Sequence, residues 1–169
     1  MTTTVDCMQH AKSLSVVVGF KNIKLLPKPT FKQKLISRFT KSDYIHVEIA
    51  IDDTWIASEE GKGVHLKPYD ENYKAEGWEY YKLPDIFLED ARYEELKKWI
   101  RSIDGAKYDW INIFLYHAIR LGIDHNSKWT CSELVGKLLQ ALNIPGTIAI
   151  RPERLNPGDV YKLIENLKA

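Results

Sequence analysis

Cysteine is scarce in this chain: Cys7 and Cys131 are the two thiols among 169 residues. Two are too few for the disulfide framework that staples small secreted domains, so a reducing compartment is expected. The opening Met1-Thr2-Thr3-Thr4-Val5-Asp6-Cys7 lacks the basic and apolar stretches of a secretory signal, and no run approaches the roughly 20 apolar residues of a membrane span. These absences lead us to expect a cytoplasmic protein with no integral membrane segment, or, for a viral chain, one carried in the virion or acting in the host-cell cytoplasm. Excess charge is missing too, and a net charge of +1 gives no global argument for a nucleic-acid partner. His10, His65, His117 and His125 are dispersed, none with a carboxylate or cysteine at zinc-like spacing, so neither metal nor cofactor is expected. There are no internal repeats or low-complexity segments, and the length suits one domain over residues 1–169.

What the chain does carry is unevenly placed. From Lys21 to Lys41 the charged residues are Lys21, Lys24, Lys28, Lys32, Lys34, Arg38 and Lys41, with no acid among them. Pro27 and Pro29 delay a helix there, after which Phe31, Leu35 and Phe39 recur at fourfold spacing, as a buried stripe would. The cations are then a solvated helix face or, alternatively, an anion-binding patch at a cleft mouth. In the second case Lys28, Lys32 and Lys34 would steer acidic substrates.

The first half reads as strands. Leu14–Phe20 is almost wholly apolar, Tyr44–Ile51 alternates, and Asp52-Asp53 turns into Thr54–Ser58. Gly61-Lys62-Gly63 leads into Val64–Lys67, and Gly77–Leu83 is a further aromatic-rich strand, together suggesting an antiparallel meander. Helices follow. One with apolar Tyr93, Leu96, Ile100 and Ile103 stops at Gly105, another spans Trp110–Leu121, and a terminal one begins at Asn156-Pro157-Gly158-Asp159. The class is α+β, a sheet packed with helices.

Two residues carry the chemistry. In Lys128-Trp129-Thr130-Cys131-Ser132-Glu133, Thr130 reads as an N-cap with Glu133 as its reciprocal capping-box partner, and Leu134, Val135, Leu138, Leu139 and Leu142 follow at helical spacing. Cys131 is then the first helical residue, where amide donors and the positive end of the macrodipole favour a thiolate. In Tyr44–Ile51, Ile45, Val47, Ile49 and Ile51 take one face while His46, Glu48 and Ala50 take the other. His46 is the partner proposed for Cys131. Singly, a cysteine is more often a buried hydrophobe and a strand histidine polar filler; their combination points to nucleophilic catalysis.

The order of His46-Val47-Glu48, Gly63-Val64, Tyr108-Asp109-Trp110 and Cys131-Ser132-Glu133 resembles the circularly permuted branch of the NlpC-type papain-like superfamily, over roughly Leu14–Leu163. In ordinary papain-like enzymes the cysteine helix comes before the histidine strand. The resemblance implies a permuted papain-like fold and a cysteine peptidase or amidase acting on an amide, such as a cell-wall peptide. Lipid acyltransferases of the lecithin-retinol type are distant relatives, so it also admits an acyl-lipid substrate and acyl transfer or lipid hydrolysis.

In that scheme Cys131 attacks, His46 carries the proton and a third polar residue orients the histidine. The strand after the histidine offers Ser58, Glu59 and Glu60, while Glu48 shares the face of His46 but lies about 6 to 7 Å along the strand. Ser58 and Glu48 rank equally. Tyr44 would lend a phenol to the oxyanion or simply pack, Trp129 would wall a cleft or staple its helix to the sheet, and Tyr108 joins them as a substrate-binding candidate through the resemblance. Asp109 reads equally as a first-turn carboxylate favoured by the helix dipole. A second class of function is a non-catalytic viral or phage structural or host-interaction protein on the same scaffold.

Overall fold

The computed structural model describes residues 11–72, 75–108 and 128–167. The expected strand Leu14–Phe20 is divided into β1 (Ala11–Leu14) and β2 (Val16–Asn22). The break falls at Ser15, whose N–H donates to Asp52 Oδ1 at 3.1 Å while its carbonyl accepts from the Asp52 N–H at 2.8 Å. Those groups are thereby withdrawn from the ladder.

Helix α1 (Phe31–Thr40) follows the prolines and is capped by Thr30, with Gln33 completing a capping box. Strands β3 (Tyr44–Ile51), β4 (Thr54–Glu59) and β5 (Gly63–Pro68) continue an antiparallel meander from β2. The next strand, β6 (Trp78–Lys82), does not extend it. It returns to the other edge of β2, giving the spatial order β5-β4-β3-β2-β6. A strand absent from the sequence reading, β7 (Ile86–Glu89), pairs with β1 and leads directly into α2 (Asp90–Ile103). Short β8 (Lys107–Tyr108) and β9 (Lys128–Trp129) form a parallel pair. The cysteine helix, α3, is Cys131–Ala141, and α4 is Pro157–Asn166. The helix expected at Trp110–Leu121 lies outside the described residues, as do Cys7, His10, Asp109, His117 and His125.

The described elements make a mixed α+β structure of two antiparallel sheets, one short parallel pair and four α-helices, in which no helix is long and apolar enough to cross a membrane. One sheet face builds the main core. Val16, Val18 and Phe20 of β2, Val47, Ile49 and Ile51 of β3 and Ile56 of β4 meet Leu134, Leu138 and Leu139 of α3 and Val160 and Ile164 of α4. Truncating a fully buried residue there, such as Leu138, would cost about 2–5 kcal/mol. The other face carries a small cluster, Val17, Ala50, Trp55 and Ala57, and above it lies the cleft described below.

Three expectations are corrected. Ile45 does not share the face of Val47, because a register shift opposite Lys21 and Asn22 makes it an extra residue, and it joins His46 on the cleft wall. Glu133 is not the reciprocal half of a capping box: Thr130 Oγ1 accepts from the Glu133 N–H at 3.1 Å, but the carboxylate turns to Lys137 Nζ, one helical turn on, at 3.3 Å. Phe31, Leu35 and Phe39 are not buried. They are 81 %, 39 % and 48 % exposed, because α1 meets the body through Lys32, Gln33, Ile36, Ser37 and Thr40 instead.

Candidate active site

The site forms where two strands part. β3 and β4 pair only through Ile49–Ile51 and Thr54–Ile56, leaving Val47 without a partner on β4. The segment from Trp129 to Cys131 occupies the gap. On the β4 side Ser58 Oγ donates to the Trp129 carbonyl at 2.9 Å, and on the β3 side the Val47 N–H lies close enough to the Cys131 sulfur to favour its ionised form. α3 thus places its first residue beside His46, near enough for thiol and imidazole each to shift the other's ionisation. The two candidates, far apart in sequence, are brought together.

His46 Nε2 lies 3.0 Å from Glu48 Oε1, which leaves Nδ1 as the ring nitrogen for the thiol. The other carboxylate oxygen of Glu48 accepts from Trp55 Nε1 and lies 3.7 Å from Lys67 Nζ. Trp55 reaches Glu48 because its neighbours across the sheet are small. It pairs with Ala50, and its ring extends over β3 to Gly19, where an added Cβ would come within 2.9 Å of it. Gly19 is itself the cross-strand partner of Glu48. The chain Cys131–His46–Glu48–Trp55 is therefore held from both ends.

Electrostatics follow from this arrangement. Burial lowers the basicity of His46, but the Cys131 sulfur and the Glu48 carboxylate outweigh it and raise its pKa to about 10. For Cys131, burial works against ionisation, yet His46 and the N–H groups of Val47 and Ser132 bring the thiol below its ordinary value. Burial likewise opposes charge on Glu48, and hydrogen bonds from His46 and Trp55 together with Lys67 hold it below the usual carboxylate range. These shifts favour a thiolate beside an imidazolium, anchored by a carboxylate.

Beside it lies a cleft of about 750 Å³ whose wall includes His46, Glu48, Trp55, Tyr69, Trp78, Tyr80 and Tyr108. The Trp78 ring stands edge-on to His46, centroids 5.7 Å apart, and Trp55 stacks on Tyr69 at 5.6 Å. Cys131 is 5 % exposed and is not part of that wall; it adjoins the cleft through His46. The wall carries Lys21, Lys32 and Lys67 against Glu48, Glu59, Glu60 and Asp70, a balance rather than a basic mouth. Lys32 is paired with Glu60, while Lys28 and Lys34 lie off the wall.

The remaining candidates separate. Tyr108 lies on the cleft wall. Tyr44 does not: its ring stacks on Tyr161 at 4.1 Å and tilts against Phe20 at 5.4 Å, and burial with hydrogen bonds to Tyr161 and Tyr81 holds its phenol well above the ordinary value. Trp129 is buried, edge-on to Trp99 at 6.0 Å and under Lys137 Nζ at 4.5 Å. Ser58 faces the core, tied to the Trp129 carbonyl rather than to His46. Trp55, Lys67 and Gly19 were not singled out from the sequence. The available signal was cross-strand, a tryptophan opposite Ala50 with a glycine beyond, and it needs the register to be read. No group of three or more histidine, cysteine or acidic residues that could hold a metal occurs among the described residues.

No protein-family model matches the chain, and no curated protein matches it either.

Proposed function

We propose that this protein is a thiol hydrolase of the permuted papain-like kind, acting on a carbonyl substrate through Cys131, His46 and Glu48. The observation that carries the reading is a helix-start cysteine brought beside a histidine whose ring nitrogen Nε2 lies 3.0 Å from a buried carboxylate. The order of the pair, histidine before cysteine, supports the permuted NlpC-type assignment.

The Cys131 thiolate adds to the carbonyl carbon, and the amides of the first turn of α3 would face the oxyanion. The His46 imidazolium gives its proton to the leaving amine as the carbon–nitrogen bond breaks, leaving a thioester on Cys131 and a neutral imidazole. Water then attacks the thioester while His46 takes its proton. The acid departs, and thiolate and imidazolium are restored. Glu48 fixes the ring and stabilises its charged form. Trp55 holds Glu48 in turn. The proposed substrate is an amide in a peptide or cell-wall peptide, with an acyl lipid as the variant.

A non-catalytic scaffold role is favoured by one feature, the 5 % exposure of Cys131 beside a cleft it does not wall. Intact-mass spectrometry after exposure to a panel of peptide, amide and thioester acyl donors separates the two. A hydrolase acquires an acyl mass on Cys131 that Cys131→Ala cannot form, and releases it with time. A protein that alkylates at Cys131 yet is acylated by no donor would have the scaffold role.

A further inference from the structure

The segment Leu25–Lys41 presents a second surface that the Cys131 chemistry does not use. α1 has an inner side, where Lys32, Gln33 and Ile36 line the cleft, and an outer side of Phe31, Lys34, Leu35, Arg38 and Phe39, all exposed. Phe31, Leu35 and Phe39 stand one turn apart along that outer side, with Leu25 just before the helix, 51 % exposed. An apolar row of this kind, left in water, marks a surface that is covered in use.

Charge identifies the cover. Lys34 and Arg38 alternate with the apolar row on the same side, Lys28 and Lys41 flank it and are also exposed, and no acidic residue lies between Lys21 and Lys41; Lys24, ahead of the helix, is paired with Asp43 at 2.6 Å. The outer side of α1 itself is thus apolar with charges of positive sign alone. Lysine and arginine bury their methylene stems beside an apolar row while their heads reach outward, the arrangement of a helix lying in a bilayer interface with anionic headgroups. A protein partner would need a strongly acidic groove around an apolar slot; an anionic bilayer supplies both properties without one. Thr30 caps α1 and Gln33 completes the box, so the helix is formed before contact and little ordering is required.

We propose that α1 is an interfacial docking helix that sets the protein on an anionic membrane surface through Phe31, Leu35 and Phe39, with Lys28, Lys34 and Arg38 contacting headgroups. The inner side of the same helix forms part of the cleft wall, so docking brings the cleft to the bilayer. This inference does not depend on the protein being a hydrolase.

The test is co-sedimentation of the full chain with vesicles of phosphatidylcholine alone and of phosphatidylcholine mixed with phosphatidylserine. Carrying Cys131→Ala throughout removes any contribution from turnover. The mixed vesicles should retain the protein, the neutral ones little of it, and added salt should release it. Lys34→Gln with Arg38→Gln should weaken the partition about thirtyfold, and Phe31→Ser with Phe39→Ser roughly a hundredfold. All four side chains are exposed, and unchanged circular dichroism would show that the variants fold. Equal retention on neutral and anionic vesicles, no retention on either, or wild-type retention by the Phe31→Ser, Phe39→Ser variant would each overturn the proposal. So would a concentration-dependent dimer that loses its self-association in that variant and binds no vesicle, since the row would then be a subunit interface.

Discussion

The imidazole of His46 and the carboxylate of Glu48 are two residues apart on one strand, yet Nε2 and Oε1 are 3.0 Å apart. Backbone positions i and i+2 on a strand are separated by about 6 to 7 Å. Two long side chains on the same face can nevertheless lean together when something holds their tips. Trp55 and Lys67 hold the far oxygen of Glu48, and Cys131 engages His46. A third catalytic-type residue therefore need not come from the following strand.

Glu48→Gln keeps the shape of this contact and removes its charge. The variant's His46 should titrate below the value of about 10 that it has beside Glu48 and the Cys131 sulfur. Histidine NMR resonances followed against pH would report it. If turnover is found, kcat/KM should fall on the order of 10²–10⁴-fold. An unchanged His46 titration would remove Glu48 from the account.

Stability should also register this carboxylate. The Glu48 pKa is depressed in the folded protein, so its contribution is present above the unfolded carboxylate range, near about 4.3, and is lost as pH falls through the lower folded value. Urea denaturation across the acid range should therefore show a steeper loss for the wild type than for Glu48→Gln. Parallel curves would contradict the shift.

Gly19→Val tests the route by which Trp55 reaches Glu48. A Cβ at Gly19 would come within 2.9 Å of the Trp55 ring and 3.2 Å of Tyr80, so the ring must move. Trp55 Nε1 should then lose Glu48, and alkylation of Cys131 near neutrality should slow although residue 19 touches neither partner of the thiol–imidazole pair. Tryptophan fluorescence would show the displaced ring. A shifted ring with an unaltered Cys131 rate would separate Trp55 from the site's electrostatics.

Ser58→Ala distinguishes an anchor from an orienting residue. Loss of the 2.9 Å bond leaves the Trp129 carbonyl without that donor and should cost about 1–3 kcal/mol in thermal or urea unfolding. The pH at which His46 titrates should stay close to the wild-type value. A large shift would instead mean that Ser58 orients the imidazole.

Much of the frame was legible because it rests on local signals. Thr130 before Cys131, Asn156 before Pro157 and the alternation of Tyr44–Ile51 each specify their element within a few residues. What escaped depends on partners distant in sequence. The splitting of the first strand at Ser15 is a response to Asp52, and the return of β6 to the edge of β2 is a matter of topology. The fourfold spacing of Phe31, Leu35 and Phe39 predicted a helix correctly and its buried side wrongly, since periodicity shows that a face exists but not what covers it. Glu133 shows the same limit at short range: the spacing to Thr130 fits a capping box, but Lys137 one turn on competes for the carboxylate.

The central claim is that Cys131 rests as a thiolate because His46 is charged beside it, and the pH dependence of Cys131 alkylation by iodoacetamide, read by peptide mapping, tests it most directly. In the wild type the rate should reach its plateau at a lower pH than that of an ordinary thiol. Below that plateau it should fall as the thiolate is protonated, and it should change again near pH 10, where His46 loses its proton. In His46→Gln the rate should instead climb with pH through the ordinary thiol range around 8.5, and Cys7 should label more slowly than Cys131 in the folded wild type. Wild-type and His46→Gln profiles that climb together through that range, or faster labelling of Cys7, would contradict the account.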